Sequence, residues 1–246
     1  MILSGATFSW WRDDDRGDMS LDAPVLRGAD LADRLDTRPV SETALAFKGM
    51  VWDVRRDVVD LGEAGEVTRE YVDHPGAVAI VALRDVHGHD QVLLIQQYRH
   101  PVGYFEWELP AGLLDVAGEQ PWLCAARELH EEADLSAGRW DVLIDYFSSP
   151  GGNSEALRVF LARDLAGVHD QERFTREGEE HGMPVGWVDL EEAHEAVLRS
   201  QLHNPGAVIG ILTAHAARAR NWATLRPHDV PWPEHPLRHE GPEICP

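Results

Sequence analysis

The residues best suited to chemistry are one guanidinium and three carboxylates within six positions: Arg127, Glu128, Glu131 and Glu132. At ~3.6 residues per helical turn, the three glutamates share about one third of a helix circumference. Trp122, Ala125 or Ala126, Leu129 and Ala133 recur at i, i+3/4, i+7 and i+11 and supply the opposing apolar face. Like charges at this spacing cost helix stability in water. A hard divalent cation such as Mg²⁺, which takes oxygen ligands, offsets that cost if the carboxylates share it. A solvated acidic face would show the same local pattern, so the surroundings matter. Glu119 stands eight residues before Arg127, where a carboxylate can brace the helix start or pair with the arginine. The turn-forming tract Glu108-Leu109-Pro110-Ala111-Gly112 follows an apolar run just upstream.

The elements that must hold these residues can be read from periodicity. Residues 43–59 are strand-like, residues 62–66 make a turn, and residues 67–72 form a partner strand. A short antiparallel sheet of this kind is marginal alone and needs something to pack on, for which a second subunit is a candidate. Residues 76–83 are a continuous apolar run and therefore a buried strand, with residues 91–97 pairing back through a turn. After the carboxylate helix, residues 140–147, 157–162 and 185–188 read as strands, and residues 190–200 and 205–219 as helices. Residues 163–182 form an acidic loop containing Glu172, Glu177, Glu179 and Glu180. The predicted organisation is an acidic, flexible segment over 1–40, a β subdomain over 41–74, a main domain over 75–222, and a Pro- and His-rich tail over 223–246 with no pattern that would bury a core. Met19 is an alternative start.

Composition narrows the class. A chain of 246 residues, 43% hydrophobic and 26% charged, can bury a substantial core. A formal charge of −21 argues against nucleic-acid or acidic-membrane partners, which need basic patches. Anionic small substrates stay open, because bound cations invert the local field. Two cysteines, Cys124 and Cys245, make no disulfide framework and fit a reducing cytoplasm. No run reaches the ~18 apolar residues of a spanning helix, and the N-terminus lacks the regions of a secretion signal.

The stretch from Gly112 to Leu135 resembles the box that defines the Nudix hydrolases, Gly-x5-Glu-x7-Arg-Glu-apolar-x-Glu-Glu-x-Gly-apolar. Glu119, Arg127, Glu128, Leu129, Glu131, Glu132 and Leu135 stand at its mutual spacings. Two positions depart from it. Gly112 lies one residue too far from Glu119, and Asp134 replaces the last glycine, which should adopt a left-handed conformation that Asp tolerates. Pro150, sixteen residues after Asp134 within Ser149-Pro150-Gly151-Gly152, resembles the marker of the ADP-ribose pyrophosphatase subfamily. Thr68-Arg69-Glu70 and Gln97-Tyr98-Arg99 extend the likeness, which covers roughly residues 43–220.

The resemblance implies an α/β/α sandwich with a mixed sheet, plus a small N-terminal antiparallel sheet that swaps across a homodimer. It implies Mg²⁺-dependent hydrolysis of ADP-ribose to AMP and ribose 5-phosphate, with Mn²⁺ as a possible replacement. The alternatives are a pyrophosphatase for another nucleoside diphosphate sugar, such as ADP-glucose or GDP-mannose, and a non-catalytic ADP-ribose sensor. Expected metal ligands are Glu128, Glu132 and the carbonyl of Ala111, with Glu131 a ligand or outer partner. Arg127 and Glu119 are expected to form an orienting pair. Glu155 is the expected base, with Glu179 or Glu180 as alternatives. Arg69 and Arg99 are candidates for phosphate or terminal ribose, Glu70 for ribose hydroxyls, and Phe47 or Trp52 for stacking on adenine. The histidines show no metal-ligand spacing.

Overall fold

The computed structural model describes residues 23, 25–168 and 182–235. The chain divides into two units, residues 1–37 and 38–246. Within the first, the described residues make a single 3-10 turn, Gly28–Asp30.

The second unit begins with a three-stranded antiparallel sheet in the order β1 (Val40–Phe47), β2 (Asp53–Asp60), β3 (Glu66–Asp73). The strand-like stretch 43–59 is thus a hairpin. Met50 and Val51 fall in its turn, which the Lys48–Asp53 ion pair closes at 2.8 Å. Polar pairs cross this sheet: Thr43 donates to Asp57 at 2.6 Å, Tyr71 to Asp57 at 3.0 Å, and Arg56 Nε to Glu70 at 2.8 Å. Every residue of β1 is exposed.

The main sheet has eight strands. Its path runs β10 (Val185–Asp189), β5 (His89–Arg99), β4 (Ala77–Val86), β9 (Ala156–Gly167), β8 (Leu135–Phe147) and β11 (Arg226–Pro227). β6 (Tyr104–Glu108) pairs with β5, and β7 (Ala111–Leu113) with β4. The β4–β9 contact is parallel and the other pairs are antiparallel, so the sheet is mixed. Alternation along β4 explains its unbroken apolar run. Val78, Ile80 and Ala82 pack with Cys124, Ala125 and Leu129 of helix α1 (Pro121–Ala133). Ala77, Ala79, Val81 and Leu83 face the opposite layer, α2 (Leu190–Leu198) and α3 (Pro205–Arg218), through Ala193, Ala207 and Ile211. With period-2 side-chain alternation, only a strand covered on both faces needs such a run. The result is the expected α/β/α sandwich.

Asp134 ends α1 in the left-handed conformation, φ 53°, and its N–H bonds the carbonyl of His130 at 3.0 Å, as anticipated for the residue in glycine's place. The tail reading needs correction over residues 226–235. Trp232 is 2% exposed, and Arg158 reaches across to it, its guanidinium 4.7 Å from the ring and its Nη1 donating to the carbonyl of Val230 at 2.8 Å. One tryptophan among prolines has no periodicity to announce it, since its pocket is built by strands far away in sequence.

Candidate active site

Helix α1 presents its carboxylates to the short strand β7. The backbone N–H of Ala111 donates to Glu132 Oε2 at 2.9 Å, and Glu132 is 8% exposed. Beside it, Glu128 occupies the space that a side chain at position 112 would fill. A Cβ on Gly112 would meet Glu128 Oε1 at 2.0 Å and Cγ at 2.3 Å. Glycine is therefore required here by close approach of the helix side chain to the strand backbone, and by no unusual backbone angle.

Arg127 sits between the acids. Its Nε and Nη2 donate to the two oxygens of Glu119, each at 3.1 Å, while Nη1 donates to Glu128 at 2.6 Å and to Glu131 at 3.1 Å. The hydrogen bonds to Glu119 are the largest cause that raises the Arg127 pKa, and they hold the Glu119 carboxyl below its ordinary value. A guanidinium with five donors in a rigid fork is the side chain that can span three carboxylates at once. Cys124 lies beneath, fully buried, its thiol pushed up to about 12 by burial. Cys245 lies outside the described residues.

A second ion pair borders the same corner. Arg99 Nε and Nη2 grip Glu108 Oε1 and Oε2, both at 2.7 Å, and Glu108 is 2% exposed. The Arg99 pKa is raised chiefly by this hydrogen bonding, with the charge of Glu132 contributing. Arg99, expected on substrate, thus directs this fork at a buried glutamate. Glu108 was legible in the sequence only as part of a turn tract. Its signal was a lone carboxylate between Trp107 and Leu109, where a buried acid requires a partner.

The other expected substrate residues lie on the three-stranded sheet or its turn. Arg69 donates to the carbonyl of Thr68, Glu70 pairs with Arg56, and Phe47 is 63% exposed at the end of β1. Trp52 stacks on His74, centroids 4.4 Å apart at 20°. Glu155, the expected base, receives the Ser148 hydroxyl on Oε2 and stands 3.4 Å from His74 Nε2 through Oε1. Glu179 and Glu180 lie outside the described residues.

The carboxylate corner fits a divalent cation by its chemistry: Glu128, Glu131 and Glu132 offer hard oxygens beside the Ala111–Gly112 backbone, and the missing Cβ of Gly112 leaves room for Glu128. A different cluster, Glu191, His194 and His215 on α2 and α3, has ligand atoms within 4.8 Å of one another. Its two rings stack 3.8 Å apart at 14°, and Glu191 Oε2 accepts from Arg218 at 2.8 Å.

A carboxylate-lined helix against the short strand β7, inside a mixed α/β/α sandwich, defines a class. Residues 73–206 match the model of the NUDIX domain, and the chain belongs to that family. Over 188 residues the chain is 45% identical to an ADP-ribose pyrophosphatase of Mycobacterium tuberculosis, covering 76% of this chain and 87% of that protein. It is 32% identical over 158 residues to an ADP-ribose pyrophosphatase of Bacillus subtilis, covering 64% and 82% respectively. A solved structure described as an ADP compounds hydrolase shares the fold with a TM-score of 0.60 at 17% identity, covering 77% of this chain and 98% of that one.

Proposed function

We propose that this chain is a cytoplasmic, homodimeric, Mg²⁺-dependent hydrolase of the ADP-ribose pyrophosphate, with AMP and ribose 5-phosphate as products. The observation that carries this reading is the oxygen-rich corner of Glu128, Glu131 and Glu132 at the Ala111–Gly112 backbone. Support for the substrate comes from the identity to the two pyrophosphatases and from the Ser149-Pro150-Gly151-Gly152 loop. Glu128, Glu132 and the Ala111 carbonyl would hold the cation, with Glu131 as a further ligand or outer partner and Mn²⁺ as a substitute. When bound, the cation lowers the pKa of a water and neutralises charge on the phosphoryl oxygens.

The chain's own residues supply positioning. Arg127 holds Glu128 and Glu131 at fixed separation, and Glu119 holds Arg127. Arg99 keeps Glu108 in place beside Glu132. In a homodimer, Arg69, Glu70, Phe47 and Trp52 would meet the nucleotide from a neighbouring subunit. The exposure of Leu45, Phe47, Met50 and Val51 supports this, because a second copy would cover them. Proton removal from the water falls to a carboxylate, for which the sequence offers Glu155 and, outside the described residues, Glu179 and Glu180.

The test is product analysis on ADP-ribose, ADP-glucose and GDP-mannose, with Mg²⁺ and with EDTA. EDTA-sensitive release of AMP and ribose 5-phosphate, fastest from ADP-ribose, is expected. Faster turnover of another nucleotide sugar would refute the substrate. Binding of ADP-ribose without turnover of any compound would refute the hydrolase reading.

A further inference from the structure

Three residues surround Glu155, whose side chain is 18% exposed. Besides Ser148 on Oε2 and His74 on Oε1, its own N–H donates to Asn153 Oδ1 at 3.0 Å. His74 is 6% exposed, and its Nδ1 accepts the Gly76 N–H at 3.0 Å. That leaves the ring proton on Nε2, facing the glutamate. The loop between Ser148 and Glu155 is sewn to the end of β3 at further points. Val72 N donates to Gly152 O at 3.0 Å, Ser154 N to Val72 O at 3.1 Å, and His74 N to Ser154 Oγ at 2.9 Å.

Strand register places this clasp away from the carboxylate corner. Ala77 of β4 pairs with Leu113 of β7 on one side and with Leu157 of β9 on the other, while Ala79 pairs with Ala111. Ala111 and Glu155 are therefore four residues apart along the strands and two strand spacings apart across them. At ~3.3 Å per residue and ~4.8 Å per strand, this separates the two backbones by about 16 Å. A glutamate side chain extends under ~5 Å by bond lengths of ~1.5 Å, and a base must come within about 3 Å of the proton it takes. Facing supports the same conclusion. The charge of Glu155 helps to raise the pKa of Tyr146, after burial, and Tyr146 packs with the α2–α3 layer, opposite α1.

We infer that Glu155 is a positioning residue, which with His74 and Ser148 clamps the loop of residues 149–154 to β3 and thereby presents it to the substrate, and that Glu155 does not take the proton of a water bound at the carboxylate corner of its own chain. This rests on the hydrolase reading above. His74→Gln keeps a donor for Glu155, whereas His74→Ala removes it.

The test combines steady-state kinetics on ADP-ribose with Mg²⁺ and hydrogen exchange of the loop amides in the full chain. Glu155→Gln and His74→Ala should raise KM about tenfold or more, from loss of a charge-assisted bond, with kcat within a few-fold and its pH profile unmoved. Both should speed loop exchange about tenfold, and His74→Gln should restore KM and protection. A Glu155→Gln loss of kcat beyond about 10³ at constant KM, a change in the pH–kcat profile, or unaltered loop exchange would overturn the inference. If the wild type turns over no ADP-ribose, the hydrolase reading fails, while the exchange measurement still decides the clamp.

Discussion

Replacing Gly112 by alanine is the sharpest probe of the carboxylate corner. The added Cβ would lie 2.1 Å from Glu128 Cδ and 2.3 Å from Cγ, whereas carbon atoms rest about 3.5 Å apart or more. Glu128 must therefore retreat by at least about 1 Å, the strand backbone being pinned on β4. Mg²⁺ demands near-ideal geometry at about 2.1 Å, and a 1 Å misplacement typically costs about 10² in rate. Gly112→Ala should accordingly lower kcat/KM for ADP-ribose about 10²-fold, some 2.7 kcal/mol, and raise the Mg²⁺ concentration for half-saturation. Folding should be little affected, because the Gly112 backbone is one that alanine adopts and Glu128 can swing toward solvent. Gly118→Ala is the control. That residue has φ 79° with nothing within 4 Å of a Cβ, so it should cost about 1 kcal/mol of stability while leaving the metal dependence alone. The assay is AMP release across a Mg²⁺ titration, with thermal unfolding of each variant. A Gly112→Ala enzyme with wild-type rate and Mg²⁺ dependence would refute the placement of Glu128 as a ligand.

Three other outcomes follow from the same geometry. Arg158→Ala should destabilise the fold by about 3 kcal/mol, near the low end for a broken buried pair, because Arg226 still neutralises Asp145 at 2.9 Å; denaturant unfolding would measure it, and Trp232 fluorescence should shift red. Cys124, fully buried with its thiol raised to about 12, should not react with Ellman's reagent in the folded Cys245→Ser variant and should react on unfolding. Burial lowers the His74 pKa below its ordinary 6.5, so the unfolded chain takes up the proton first as pH falls. The stability His74 contributes is thus complete above pH 6.5 and declines below it, until the folded ring protonates. Unfolding free energies from pH 7.5 to 5 should show a shallower decline in His74→Gln, and identical slopes would refute this.

What the sequence determined by itself is local. The face shared by Glu128, Glu131 and Glu132, the apolar back of α1 and the run of β4 all follow from repeats of ~3.6 and 2 residues, which a single segment expresses without its partners. The left-handed cap at Asp134 is of the same kind, because the conformational tolerance of one residue sufficed. The fold family was legible because the box concentrates its ligands in one helix and the loop before it.

What only the tertiary structure decided is every contact made across strands. Gly112 meets Glu128 because β7 is seated on β4 under α1. Arg99 turns to Glu108 because β6 folds back on β5, pairing Ile95 with Glu108. His74 and Glu155, 81 positions apart in the chain, meet because β3 and the start of β9 converge, and the same register sets Glu155 far from Ala111. Trp232 finds its place over Arg158 because the pairing of β8 with β9 sets that arginine beside Asp145. Such pairings have no sequence period, since strand order rather than chain distance brings the groups together.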